Sequence, residues 1–360
     1  MKDYLRFQYH FEPGSGWMND PNGLIFFRGR YHAFYQHYPY APHWGQMHWG
    51  HAVSDDLIHW QELPIALYPD QEYENDGGCF SGSAVEKDGR LYLFYTSVSH
   101  KLGQTQSVAY SDDGIHFTKY SGNPVIWKNP VGSADFRDPK VTYMDGAYYM
   151  VLGSGDGTSG KVLLYSSDDL LHWDYAGILF QGDAYGPCIE CPDFFKLDDK
   201  YVLMFSKIHE TQRSTVFIVG DFVNGMLINC SISRPEWGED FYAPQTFQEG
   251  RRRILIGWMY HWGKEPPTEC PFAGALSIPR ELQVCNGVIR NFPVEEVRHL
   301  LKQESPYVCR EGDQLVMKDR NGNEWIIGLP SIETIDILED LKSVEIFLNG
   351  GTCSFSYWLA

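Results

Sequence analysis

Three acidic side chains sit in short, distinctive motifs: Asp20 in GWMNDPNG (Gly16 to Gly23), Asp138 in FRDPK (Phe136 to Lys140) and Glu190 in ECPDFF (Glu190 to Phe195). Carboxyl groups gathered in one cavity raise one another's proton affinity, so at least one is held protonated beside another that is ionised. That arrangement suits acid–base chemistry, and such perturbed clusters belong to active sites more often than to scaffolding. Taken singly, each acid also fits a turn or a cap, because each is followed by Pro or by Cys-Pro. The elements that carry them decide between the two.

A hairpin signature recurs five times, as FRGRYHAFYQ, KDGRLYLFYT, MDGAYYMVLG, LDDKYVLMFS and QEGRRRILIG. Each is a turn followed by a strand-like apolar run. The turn positions Gly29, Gly89, Gly146, Asp199 and Gly250 are 60, 57, 53 and 51 residues apart. A second marker keeps step with the first: SDDLIHW, SDDGIHF and SSDDLLHW repeat at spacings of 57 and 56 from Ser54 to Ser111 to Ser167. Repeats of this length built from short β-runs predict β-propeller blades of about four strands each. The repeated runs are rich in Tyr, Phe, Val and Ile, which disfavours a helical solenoid. Eight or nine residues before each turn stand Asp20, Phe80, Asp138, Glu190 and Tyr242. Matched points of matched strands face the central channel at similar depth. The repeat therefore predicts that three carboxylates surround one funnel.

Composition narrows the partners. A net charge of −18 disfavours nucleic acid and anionic membrane surfaces. An aromatic share of 15% fits aromatic-lined clefts. No apolar segment near the N-terminus reads as a secretory signal, and no run of eighteen apolar residues occurs, so a cytoplasmic protein without a membrane partner is expected. The eight cysteines then do not imply disulfides. Cys188 and Cys191 match C-x-x-C but lack a second ligand pair, so no metal and no cofactor is expected. The recurring His59 and His172 of the SDD boxes read as structural; His48 and His51 are the other histidines that invite a metal reading.

Further motifs accompany the acids in order: HFEPGSGWMNDPNGL, FYQHYP, HWGH, FSGSA, FRDPK, ECPDFF, DFYAPQTF, IGWM and GALSIPREL, spanning about residues 6 to 295. Together they resemble glycoside hydrolase family 32, the family of invertases, sucrose-6-phosphate hydrolases, inulinases and levanases. The resemblance implies a retaining hydrolysis of β-fructofuranosides on a five-bladed propeller. It implies Asp20 as nucleophile, Glu190 as general acid and then base, and Asp138 as the stabiliser that holds sugar hydroxyls, with Arg137 and backbone donors keeping Asp138 anionic. It also implies a fructose pocket of Asn19, Gln36, Trp44, Phe80, Ser81, Arg137 and Trp258, with Tyr242 and Gln245 nearby. Amides and hydroxyls satisfy sugar hydroxyls there, and aromatic faces cover C–H surfaces.

The expected architecture is all-β: a five-bladed β-propeller catalytic domain over residues 1–295, then a truncated β-sandwich-like module over 296–360. Only SVEIFLNGG (Ser343 to Gly351) reads clearly as closing strands of that module. The expected partner is a small carbohydrate, with a homo-oligomer open. Sucrose, sucrose 6-phosphate and short fructo-oligosaccharides are the candidate substrates, with Lys207, His209 and Arg213 as candidate cations for a phosphate. The competing readings are a non-catalytic fructan-binding propeller, a transfructosylase on the same scaffold, and an inverting arabinan- or xylan-type hydrolase.

Overall fold

The computed structural model describes residues 5–208, 214–259, 262 and 270–359, which are almost all in strands and loops. Five four-stranded antiparallel units follow one another along the chain. The first holds β1 (Gly16–Phe27), β2 (Arg30–Tyr38), β3 (His48–Ser54) and β4 (Trp60–Leu67), and the second β5 (Gly78–Lys87), β6 (Arg90–Ser99), β7 (Gly103–Ser111) and β8 (Thr118–Lys119). The third holds β9 (Phe136–Met144), β10 (Ala147–Gly155), β11 (Gly160–Ser167) and β12 (Asp174–Gly182), and the fourth β13 (Ile189–Leu197), β14 (Lys200–Lys207), β15 (Ser214–Val223) and β16 (Met226–Ser233). The fifth holds β17 (Tyr242–Glu249), β18 (Arg252–Trp258), β20 (Arg280–Cys285) and β21 (Val288–Pro293), while β19 (Phe272–Ala273) runs parallel to β1 on the first. The inner strands β1, β5, β9, β13 and β17 pack each on the next, and β17 packs back on β1. This is the five-bladed propeller that the repeat predicts.

Local chemistry explains the blades. In the first three, the turn between strands one and two is a two-residue loop whose central residues both lie in the left-handed region: Arg28–Gly29, Asp88–Gly89 and Asp145–Gly146. Its twist matches that of the strands, and glycine in second place carries no Cβ penalty. The SDD boxes close the third-to-fourth-strand turns. Asp56 Oδ1 accepts from the backbone N–H of Ile58 and His59, and its Oδ2 lies 2.7 Å from His59 Nδ1. Asp113 with His116 and Asp169 with His172 repeat the pattern, so these histidines are turn residues. One apolar cluster fills each gap between neighbouring blades.

Each inner strand carries a β-bulge near its start. Pairing skips a step between Met18 and Pro21, Cys79 and Gly82, Arg137 and Lys140, Glu190 and Asp193, and Tyr242 and Gln245. A bulge bends the strand and re-aims side chains, so consecutive residues both reach the channel. Asp138, Cys191 and Ala243 are the first skipped residues of their blades, all with positive φ and all followed by Pro, which has no N–H to leave unpaired. Deeper in the channel, polar side chains tie the blades together. Gln245 accepts from the Leu24 N–H and donates to Gly82 O, and Asp193 accepts from Thr246 while pairing with buried Lys140 at 3.3 Å.

After β21 a 3-10 turn, Glu295–Leu300, leads to two three-stranded sheets: β22 (Val308–Glu311), β23 (Gln314–Lys318) and β24 (Glu324–Gly328), then β25 (Ile335–Glu339), β26 (Ser343–Leu348) and β27 (Cys353–Trp358). Their facing residues form one apolar core, a small sandwich in which Gln303 to Asp340 supplies the first sheet and β25. Buried charges join it to the propeller. Asp340 accepts from the N–H of Gln8 and Tyr9 and lies 2.8 Å from His10 Nδ1; His10 Nε2 lies 2.8 Å from Glu345, which also receives Arg280 of β20. Burial disfavours charge on His10, but hydrogen bonds to Asp340 and Glu345 outweigh it and push the imidazole up to about 9. Glu345 is pulled down to about 2 because Arg280 and His10 oppose the cost of its burial.

These shifts set the pH window of the junction. The contribution of His10 is present in full below its unfolded value and fades as pH rises through about 9, whereas that of Glu345 is present above its unfolded value and fades as pH falls toward about 2. Glu345→Ala leaves Arg280 and His10 buried without their shared carboxylate and lowers unfolding free energy by about 3–5 kcal/mol in denaturant titrations near neutral pH. His10→Gln flattens the loss of stability between neutral pH and pH above about 9; an unchanged slope there contradicts this assignment.

Candidate active site

The bulges bring the motif residues around one cavity of about 460 Å³, within the range of small-ligand pockets. Its walls include Asn19, Asp20, Gln36, Trp44, Phe80 and Ser81 from the first two blades. Arg137, Asp138 and Glu190 come from the third and fourth. The three acids and every residue of the implied fructose pocket except Trp258 therefore line it. Trp258 is fully buried behind the wall, in edge contact with Trp17 at 5.8 Å and Trp262 at 5.3 Å. It supports aromatic neighbours instead of touching the cavity, because Trp17 and Trp262 pack against it and leave it no exposed surface.

Asp20 is held by donors from two blades. Ser81 Oγ donates to Oδ2 at 2.6 Å and Asn19 Nδ2 to Oδ1 at 3.0 Å, while Trp17 Nε1 donates to Asn19 Oδ1 and fixes that amide. Burial pushes the Asp20 carboxyl up, and Ser81 and Asn19 pull it back. Asp138 is more deeply buried and receives the Cys191 backbone N–H at 2.8 Å. Burial pushes it up to about 7; Arg137 opposes the rise, and Glu190 and Asp20 add to it. Glu190 receives the Tyr242 hydroxyl on Oε2 at 2.5 Å and the Arg137 guanidinium on Oε1 at 3.1 Å.

Cys191 links the three acids: it follows Glu190 in the chain, its N–H binds Asp138, and its Sγ lies 3.5 Å from Asp20 Oδ2. Burial holds that thiol well above its usual range, so it stays protonated, and Cys188 and Cys191 are both free thiols.

Two expectations change. Arg137 donates to Asp135 and Glu190 and not to Asp138, which it steadies only through space, because Asp138 lies in the bulge and turns away from the strand of its neighbour. The acids also occupy equivalent points only to within one residue: Glu190 immediately precedes its bulge, whereas Asp138 lies inside one. Gln104, at the start of β7, and Trp262 line the cavity without any motif pointing to them. Tyr242, marked by both the repeat phase and the DFYAPQTF motif, meets the site through Glu190. His51 stacks on Phe34 at 4.1 Å and lies 3.0 Å from His32, and burial keeps both rings neutral. Among the described residues, no group of His, Cys, Asp and Glu is placed to hold a metal ion, and no helix is long and apolar enough to cross a membrane. Lys207 ends β14, buried, while His209 and Arg213 lie outside the described residues.

The profile of the glycosyl hydrolases family 32 N-terminal domain matches residues 10–293. The chain belongs to glycoside hydrolase family 32. It is a glycoside hydrolase of the invertase, β-fructofuranosidase type. Among relatives within family 32, the sucrose-6-phosphate hydrolase of Escherichia coli is 42% identical over 339 residues, covering 86% of this chain and 70% of the relative. A raffinose invertase of Escherichia coli is 38% identical over 353 residues, covering 91% and 73%. The family 32 β-fructofuranosidase of Bombyx mori superposes with a TM-score of 0.85 at 30% identity, covering 98% of this chain and 89% of that one.

A buried carboxyl raised to about 7 costs stability wherever the unfolded chain would ionise it. That cost is absent near pH 4, grows as pH rises, and is complete above about 7. Asp138→Asn removes it and raises the melting temperature by about 2–4 °C at pH 8, with little change near pH 4. Calorimetric scans at the two pH values check this, and a lower melting temperature at pH 8 contradicts it.

Proposed function

We propose that this chain hydrolyses the terminal β-D-fructofuranosyl bond of sucrose, sucrose 6-phosphate or short fructo-oligosaccharides by double displacement with retention. The observation that carries this reading is the meeting of Asp20, Asp138 and Glu190, from three blades, at one cavity rimmed by Trp44 and Phe80. The names of the relatives favour the sucrose and sucrose 6-phosphate end of that range.

Cleavage of a ketosidic bond builds positive charge at the anomeric carbon, so the site must supply a close anion there and a proton at the departing oxygen. Asp20 is the nucleophile: the Ser81 and Asn19 donors stabilise its anion and fix its direction of attack. Glu190 protonates the leaving oxygen and then, as the carboxylate, takes a proton from the incoming water. Its hydrogen bond to Tyr242 runs from phenol to carboxylate in one state and reverses in the other, so both states stay oriented. Asp138 holds ring hydroxyls as charge develops, with the Cys191 N–H and nearby Arg137 favouring its anion against the cost of burial. Gln36 and Asn19 supply amides, and Phe80 and Trp44 cover the apolar edge of the sugar. We place the division between catalytic propeller and sandwich at residues 295 and 296, and the site is drawn from the propeller side of it.

Asp20→Ala and Glu190→Ala each lower kcat on sucrose by about a thousandfold or more, read as released fructose. Proton NMR of the first product shows β-fructose before mutarotation; α-fructose as the first product refutes retention. Because the cavity keeps a proton on Asp138 up to about 7 and the stabilising role needs its anion, kcat/KM rises with pH and levels off above that value. A rate still rising at pH 8 contradicts the assignment.

A further inference from the structure

A row of aromatic rings leaves the cavity along the upper edge of the first blade, and beyond Trp44 and Phe80 no step of the hydrolysis uses it. It starts at Trp44, which lines the cavity, meets Phe80 edge-on at 6.2 Å and is 45% exposed. The neighbouring His43 packs on Tyr38 at 5.7 Å, and Tyr38 meets Tyr40 at 5.4 Å. Tyr40 then meets the buried His48 at 5.7 Å, and His48 meets Tyr68 at 5.6 Å. Tyr40 is 72% exposed and Tyr68 48% exposed.

Topology gives the row its direction. Tyr38 ends β2, His48 begins β3, and Tyr68 directly follows β4, so the rings climb outward strand by strand on the edge that holds the acids. Pairing of Tyr38 with Trp17 ties the inner end to the strand of Asp20. At a strand spacing of about 4.8 Å, β2 to β4 carries the row roughly 10 Å from the mouth, about two sugar rings. Exposed aromatic area is costly in water, and here Tyr40 and Tyr68 are braced by the buried His48 instead of covered, which leaves pre-formed apolar faces beside phenol hydroxyls.

We infer that this row binds the outer units of a neutral fructo-oligosaccharide whose terminal fructose occupies the cavity, which makes the chain a hydrolase of oligosaccharides longer than sucrose. Continuity with the cavity through Trp44 selects this occupant. The inference rests on the proposed hydrolysis and deepens it by naming the preferred substrate length.

The test compares kcat and KM for sucrose and for β-2,1-linked tri-, tetra- and pentasaccharides with the parent, Tyr40→Ala, Tyr68→Ala and Tyr40→Phe proteins. In the parent, kcat/KM rises with length and levels off near the tetrasaccharide. Tyr40→Ala and Tyr68→Ala lower the tetrasaccharide-to-sucrose ratio of kcat/KM about five- to tenfold, mainly through KM, and Tyr40→Phe retains it. A ratio unchanged in both alanine variants, or a parent without any gain from length, overturns the inference while leaving hydrolysis intact. Release of fructose from none of these substrates is instead a failure of the proposed hydrolysis. Calorimetric titration of the tetrasaccharide into the Glu190→Ala protein, which turns it over too slowly to interfere, then reads binding: weaker affinity when Tyr40→Ala is added supports the row, and equal affinity overturns it.

Discussion

Three carboxyl groups around one small cavity repel one another, and the mouth of the propeller is arranged about that repulsion. Ser81 and Asn19 stabilise charge on Asp20, the Cys191 N–H and the field of Arg137 stabilise it on Asp138, and Tyr242 and Arg137 engage Glu190. None of these donors comes from a flexible connection: Asn19, Ser81, Arg137, Cys191 and Tyr242 all lie on inner strands, at or beside a bulge. Placement on strands tied by Gln245, Asp193 and Lys140 holds the donors where charge appears, which is the condition for electrostatic stabilisation without reorganisation. The raised proton affinity of Asp138 is the stability cost of the same arrangement.

The fold was legible because the repeat has two independent markers. Both reflect turn chemistry that short sequences encode locally: the left-handed turns of the first hairpins, and the aspartate that caps two backbone N–H groups and pairs with the histidine three residues on. The convergence of the acids was legible for the same reason, since phase along a repeat translates into height in the channel. Phase alone does not reveal the bulge. Asp138 stands eight residues before its turn and Glu190 nine, and that single residue separates a place inside the bulge from the place just before it. Trp258 was misplaced because a motif gives neighbourhood without depth, and Gln104 was missed because it lies on a third strand, where no repeat marks it. The pairing of Arg137 with Glu190 joins two blades and has no signature in either segment.

The C-terminal sheets are small, yet they are fastened by buried charge. His10, Asp340, Glu345, Arg280 and Glu236 form one connected set that draws on the N-terminal segment, the fourth-to-fifth blade connection, the fifth blade and the last two strand hairpins. Ser354 and Ser356 complete it by meeting Glu236 and Arg280. A set of this kind is specific before it is stabilising, because every member must be present for any of them to be buried at low cost. Its other consequence is geometric: the N-terminal segment it anchors leads directly into β1, the strand that carries Asp20.

The central claim is that Asp20 attacks the anomeric carbon, and trapping the adduct tests it most directly. The Glu190→Ala protein, incubated with a fructoside whose leaving group needs no protonation, forms the fructosyl-enzyme but resolves it slowly. Intact mass followed by peptide mapping then finds one fructosyl unit on the peptide containing Asp20. An adduct on any other carboxylate, or turnover of that substrate with no adduct at any time, contradicts the account.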